Sequence, residues 1–266
     1  MSLAELRTSI KSICTLEKAT RAMRALSISL HTSLKRDVLY QKKILTLLQN
    51  DNNKLYAPQN SKKLYIFVGS QRGLCGTYNN DIVKKIKEIN ARQEKNITLM
   101  IIGKKLAQKA APHLSPHVII MPLLKKNKIE EIKMLINRHI SAESIDILSW
   151  VYSRSENLFS KVVVEHDMII KKEIFCIDQK QESFMYGHFG ELRVKKIIHE
   201  MHYAVMMRII FLEALIAEQA ARFISMDKAC RNSQEMIRAK SIMLNKKRQY
   251  LINRELEDLT SCWKLF

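Results

Sequence analysis

Glycine and proline are scarce in this chain and confined to its middle. Six Gly and four Pro serve 266 residues, and all ten lie between Pro58 and Gly190. In a helix interior these residues cost about 1 and 3 kcal/mol respectively. Their absence before Pro58 and after Gly190 lets each end run as one long helix, while the middle keeps every tight turn. Cysteine pairing is missing too. The five cysteines, Cys14, Cys75, Cys176, Cys230 and Cys262, are odd in number, and none forms a C-x-x-C pair. That argues against a disulfide scaffold or a zinc site and for a reducing compartment. Aromatic residues make up only 7% of the chain, too few for a surface that stacks bases. No apolar run approaches the 18 or so residues of a membrane-spanning helix. The richest, from Tyr203 to Ala217, is broken by Arg208 and Glu213. The opening Met1-Ser2-Leu3-Ala4-Glu5 has no signal-peptide pattern, so a soluble or peripherally bound protein is expected.

What is present in excess is positive charge: 45 Lys and Arg against 26 Asp and Glu, net +19. Such a field favours acidic partners, whether nucleic acid, anionic membrane or an acidic protein surface. An apolar fraction of 47% is enough for a packed core.

Residues 1–57 place apolar side chains at Leu3, Leu6, Ile10, Ile13, Leu16, Ala19, Met23, Leu26, Leu30, Leu34 and Val38. The steps are 3 or 4 throughout, which is helix spacing of coiled-coil type. Three consecutive steps of three, from Ile10 to Ala19, would overwind a coiled coil locally. Fraying is expected at Asn50-Asp51-Asn52-Asn53. Residues 188–266 repeat the pattern at Ile198, Met201, Val205, Ile209, Leu212, Ile216, Phe223, Met226 and Cys230. At 1.5 Å per residue a helix from Gly190 to Lys264 would be on the order of 110 Å long. Part of it must project, and a projecting apolar seam needs a partner. The N-terminal helix is the nearest candidate, giving an antiparallel coiled coil. The alternative is that both helices break and fold into a compact bundle.

Residues 58–187 alternate strand and helix signals. Strands are expected at 64–68, 97–102, 117–121 and 145–152, with a further one, a candidate edge strand, at 159–170. Helices are expected at 80–91, 104–111 (closed by Pro112) and 129–139, and 176–188 reads as a connector. This implies βαβ units and a mostly parallel, Rossmann-like sheet. The fold class is therefore α/β with a long antiparallel coiled coil.

Ser70-Gln71-Arg72-Gly73-Leu74-Cys75-Gly76-Thr77-Tyr78-Asn79 occupies the first strand-to-helix turn, where phosphate loops occur. It matches neither G-x-G-x-x-G nor a P-loop, and Gly73 and Gly76 are better read as turn formers. Cys75 near a helix start invites a nucleophile reading, but no His is near it in sequence. His199 and His202 stand three apart with no third metal ligand in view. No residue is put forward as catalytic, cofactor-binding or metal-ligating. The basic residues are better organised. Arg7, Lys11, Lys18 and Arg21 fall within about 80° of one another at 100° per residue. The stretch from Met236 to Arg254 carries Arg238, Lys240, Lys246, Lys247, Arg248 and Arg254 with no acid. Paired helices would bring the two zones together as a basic collar. A solvated charged face is the plain alternative.

Three motifs carry a resemblance. Ser12-x-x-Thr15-x-x-Lys18-x-Thr20-x-Ala22-Met23, Arg72-Gly73-Leu74-Cys75-Gly76-x-Tyr78-Asn79 and Glu218-x-Ala220-Ala221-Arg222-x-x-x-Met226-Asp227-x-Ala229-x-x-Asn232 stand at the start, middle and end of the chain. Lys247-Arg248-Gln249, Ile252 and Glu255-Leu256 continue the last. In this order they resemble the gamma subunit of F-type ATP synthases over essentially the whole chain. Gln71, Thr77 and Asn253 depart from that family's usual residues.

The resemblance implies a central rotor shaft with no active site and no cofactor. Its partners would be the alpha and beta subunits of a catalytic hexamer, the epsilon subunit and the c-subunit ring. Nucleic acid would not be a partner, and the membrane would be met only through the complex, on the cytoplasmic face of a bacterial inner membrane. It implies contacts to beta from Lys18, Arg21, Met23, Arg24, Arg238, Lys240, Arg248 and Gln249. It implies an apolar bearing at Leu256, Leu259, Leu265 and Phe266. Arg72, Gly73, Leu74, Cys75, Gly76, Tyr78 and Asn79 would support the α/β turn or an interface. The competing readings are a basic coiled-coil protein that binds nucleic acid and a small α/β enzyme.

Overall fold

The computed structural model describes residues 2–48, 61–92, 97–113, 118–121, 129–143, 145–169 and 189–263. The connector at 176–188, the fraying site at 50–53 and the last two bearing residues, Leu265 and Phe266, lie outside these. Helix α1 spans Leu3–Leu48 and helix α5 spans Phe189–Trp263. Between them come β1 (Lys63–Val68), α2 (Tyr78–Ala91), β2 (Ile97–Ile102), α3 (Lys104–Ala110), β3 (Val118–Met121), α4 (Ile129–Glu143), β4 (Ile147–Ser155) and β5 (Lys161–Ile169). Helix α3 does not stop dead at Pro112. It tightens into a 3-10 turn over Ala111–His113, where a proline is tolerated because no helical N–H is required of it.

The strands form one sheet in the order β3-β2-β1-β4-β5. The first four are parallel, and β5 is an antiparallel edge strand running from Lys161 opposite Ser155 to Ile169 opposite Ile147. Strand β1 is buried on both faces, as its unbroken apolar run requires. Leu64, Ile66 and Val68 face Ile132, Ile136 and Ile140 of α4 and Met207, Ile210 and Phe211 of α5. Tyr65 and Phe67 face Ile82, Ile86 and Ile89 of α2 and Leu106 of α3. Gly103 has φ 123°, and a Cβ there would meet the Gly69 carbonyl oxygen at 2.6 Å, so only glycine lets β1 and β2 end this close together.

The chain divides into two compact units, residues 1–27 with 223–266 and residues 28–222. In the second, Leu34 and Val38 of α1 bury against Leu212 and Ile216 of α5, and the Lys42 ammonium lies 2.6 Å from the Glu213 carboxylate. In the first, Arg24 donates to Asp227 at 2.7 Å, and Gln234 donates to Glu17 at 3.1 Å.

The packing face of α1 differs from the apolar series in the sequence. Leu6, Ile10, Ile13, Glu17, Thr20, Arg24, Ser27, His31, Leu34 and Val38 form a buried or half-buried series with steps that alternate 4 and 3. That is an unbroken period of 3.5. Leu16, Ala19, Met23, Leu26 and Leu30 are exposed instead. Each of the five precedes a packed residue by one position, about 100° around the helix. The apolar series had crossed from one stripe to its neighbour at Leu16 and back again at Leu34. In α5, likewise, Ile198 and Met201 are exposed, and burial begins at Tyr203.

Candidate partner-binding surfaces

Polar groups hold the middle of the α1 packing face. The Glu17 carboxylate accepts from Arg21 at 2.5 Å and from Gln234 at 3.1 Å, and the Cys230 thiol lies 3.5 Å away. Burial pushes this carboxyl up, yet the bonds from Gln234, Arg21 and Cys230 outweigh it and leave the group below the ordinary carboxylate range. Asp227 is likewise held down, first by the bond from Arg24, then by that from Arg231. Sequence reasoning missed Glu17, Gln234 and Cys230 as a cluster. The signal for it was the regular 3.5 spacing from Leu6, which lands on Glu17 whatever its polarity.

The residues expected to meet a beta subunit divide by exposure. Lys18, Arg21, Met23, Arg238, Arg248 and Gln249 are exposed, while Arg24 and Lys240 are half-buried. Arg24 is engaged by Asp227 within the chain. Lys240 belongs to a second packing series, Met226, Cys230, Ser233, Ile237, Lys240, Leu244, Lys247 and Leu251, again with steps of 4 and 3. Met236, Met243 and Tyr250 each stand one residue before a member of that series, and they are 51%, 61% and 65% exposed. Ile252, Leu256 and Leu259 add a further exposed apolar run near the end of α5. Exposed apolar stripes of this extent mark interaction surfaces.

The turn motif between β1 and α2 joins the sheet to α5. Asn79 accepts from the Ser70 amide at 3.1 Å and donates to the Ser70 hydroxyl at 2.8 Å, and the Cys75 thiol lies 3.4 Å from that hydroxyl. The Tyr78 hydroxyl donates to the Ala214 carbonyl at 3.1 Å. Burial raises the Tyr78 phenol well above its ordinary range, with Glu218 adding to the rise. Ala217 and Ala221 pack with Cys75 and Tyr78. Glu218 is buried beside Arg222. Burial raises its carboxyl, and Arg222 and then Arg72 oppose that rise. The second motif and the start of the third are thus one packed junction, and Cys75 is a buried thiol within it. Arg72, Gly76 and Leu74 line its outer side. Leu74 has φ 64°, a strained value for a non-glycine residue, and its side chain is 59% exposed. Among the described residues no three His, Cys, Asp or Glu side chains gather as metal ligands, and His202 is held below its ordinary imidazole range by burial and then by the charge on His166 of β5. No described helix is long and apolar enough to cross a membrane.

A family model described as ATP synthase matches residues 2–264. The chain belongs to the ATP synthase family. It is similar to the ATP synthase gamma chain of Rickettsia felis, with 26% identity covering 97% of each protein. It is similar to that of Pelotomaculum thermopropionicum, with 24% identity over 97% of this chain and 96% of the relative. Among solved structures, a chain of the Euglena gracilis mitochondrial ATP synthase in a rotational state matches with TM-score 0.69. It is 14% identical, and the match covers 98% of this chain and 93% of that one. A chain of the central stalk and c-ring of the Tetrahymena thermophila mitochondrial ATP synthase matches with TM-score 0.62 at 19% identity, over 79% of this chain and 99% of that one. At such identities these structures establish the fold.

Proposed function

We propose that this chain is the central-stalk rotor subunit of an F-type ATP synthase, coupling ion-driven rotation of a membrane ring to ATP synthesis or hydrolysis on an alpha/beta hexamer. Residues 1–57 and 188–266 form the two helices of an antiparallel coiled coil, and residues 58–187 form the α/β domain. The observation that carries this reading is the order of the cross-helix contacts. Going back along α1 from Arg24 to Glu17, the partner on α5 advances from Asp227 to Gln234. In the other unit, Leu34 and Val38 of α1 bury with Leu212 and Ile216 of α5.

The subunit is itself non-catalytic. It acts by presenting a different face to each of three chemically identical catalytic sites. Differential contact is what lets one partner bias the state of another. The exposed stripes supply those contacts: Leu16, Met23, Leu26 and Leu30 on one helix, Met236, Met243 and Tyr250 on the other. Lys18, Arg21, Arg24, Arg238 and Lys240 form a basic collar toward acidic segments of beta, and Arg248 and Gln249 catch a beta loop by hydrogen bonds. Leu256, Leu259, Leu265 and Phe266 turn in an apolar bearing, where burial has little directional preference. The α/β domain meets the epsilon subunit and the c-ring on the cytoplasmic side of a bacterial inner membrane. Strained, exposed Leu74 suits such a contact.

The test is reconstitution with the matching alpha and beta subunits. The intact chain should support complex formation and ATP hydrolysis, and a version with a Gly-Ser linker in place of residues 1–57 should lose both. Unchanged activity with the linker would refute the shaft role.

A further inference from the structure

A cavity of about 200 Å³ opens within the unit of residues 28–222, where α1, the β4–β5 turn and α5 meet. We propose that it is a binding site for a phosphate group. It does not depend on the rotor reading.

The charges around it are not balanced. On its α1 side stand His31, Lys35 and Lys42, at the end of β4 Arg154, on the turn after it Glu156, and on α5 Glu213. Glu213 is fully committed: one carboxylate oxygen lies 2.6 Å from the Lys42 ammonium, and the other accepts from the Tyr152 hydroxyl at 2.9 Å. Glu156 accepts from the Ser160 hydroxyl at 3.2 Å inside its own turn. Among the described residues no carboxylate lies within ion-pair distance of Lys35 or Arg154. His31 is held below its ordinary imidazole range, first by burial and then by the Lys35 charge beside it.

Glu156 keeps its charge at the rim, but Lys35 and Arg154 have no ion-pair partner among the described residues, and a bound anion would help to protonate His31; together these suit the double charge of a phosphate better than the single charge of a carboxylate. The Arg154 fork and the Lys35 ammonium are suited to its oxygens. Arg154 is held in β4 opposite Val162 of β5, and the turn that follows it is already fixed. Asn157 Oδ1 accepts from the Phe159 and Ser160 amides at 2.9 and 2.7 Å, and the Glu156 amide donates to the Ser160 carbonyl at 3.1 Å. The volume is below the roughly 300–1,000 Å³ of sites for drug-sized ligands, so it fits one tetrahedral oxyanion. That oxyanion can arrive as free phosphate or as a lipid headgroup.

Calorimetric titration of the full chain with inorganic phosphate, and with sulfate as a dianion that does not titrate, reads the free-ion source. Sedimentation with phosphatidic acid vesicles against phosphatidylcholine vesicles reads the lipid source. Saturable binding in either arm, weakened about tenfold or more by Lys35→Ala and by Arg154→Ala, is the expected result. Both side chains are on the surface, so thermal unfolding should show the variants folded. Sulfate should also bind more tightly at pH 5.5 than at pH 7.5, because the anion favours protonated His31, and His31→Ala should flatten that dependence. Absence of binding in both arms, or binding indifferent to Lys35→Ala and Arg154→Ala, would overturn the site.

Discussion

At the scale of single residues, the junction between the turn motif and α5 rests on a few buried polar bonds. Tyr78 is 1% exposed, and its hydroxyl donates to the Ala214 carbonyl. Tyr78→Phe keeps the ring and deletes that bond, so urea unfolding should show a loss of about 1 kcal/mol. Acid should act on the other unit through Glu17 and Asp227. Both carboxyls are depressed in the folded chain, so their contribution is complete above the ordinary values of 4.5 and 3.8. It disappears as pH falls through the lower folded values. Glu218 works in the opposite sense. Its raised carboxyl makes the folded chain take up a proton first, so its contribution declines as pH rises from 4.5. Thermal unfolding followed between pH 5 and pH 2.5 should therefore show falling stability, and Glu17→Gln should flatten the fall. An acid profile identical in that variant would show that the Glu17 carboxylate is not held down by its neighbours.

At the scale of elements, the sheet was the most legible part of the sequence. Its strands are short apolar runs stopped by turns, and β2 (Ile97–Ile102) falls where the apolar run does. The edge strand β5 was also legible: Lys161–Ile169 falls inside the expected 159–170, and its partly exposed residues suit an edge. The long helices were legible as helices, through the confinement of Gly and Pro. Their packing faces were not. Apolar spacing picks out the most apolar stripe, and in the middle of α1 that stripe is exposed, while Glu17, Thr20, Arg24 and Ser27 are packed. Two of those polar residues are held by partners about 200 positions away in the chain, Asp227 for Arg24 and Gln234 for Glu17, which local periodicity does not encode. The two stripes should separate by experiment. Leu26→Gln with Leu30→Gln, at 64% and 49% exposed positions, should change stability by no more than about 0.5 kcal/mol each while weakening association with the alpha/beta complex. Leu34→Ala, at a position 6% exposed, should cost about 2–3 kcal/mol. Melting and pull-down of each variant distinguish packing from contact.

At the scale of the whole molecule, the family is established by the match over residues 2–264, and the proposed role is mechanical. A shaft has no catalytic constellation for a sequence to reveal, so function was legible here only through motif order and the unusual confinement of helix breakers. Residue roles at the partner surfaces were less so, because a contact made only in a complex leaves a free chain with nothing but exposed apolar and basic side chains. The most direct measurement of the central claim is single-molecule rotation. The chain is assembled with its alpha and beta subunits on a surface, and a probe is attached through Lys87→Cys on α2. On adding ATP, the account predicts one-way, stepwise rotation of the probe that stops when ATP is withdrawn. ATP hydrolysis by the same complexes with the probe stationary would contradict it.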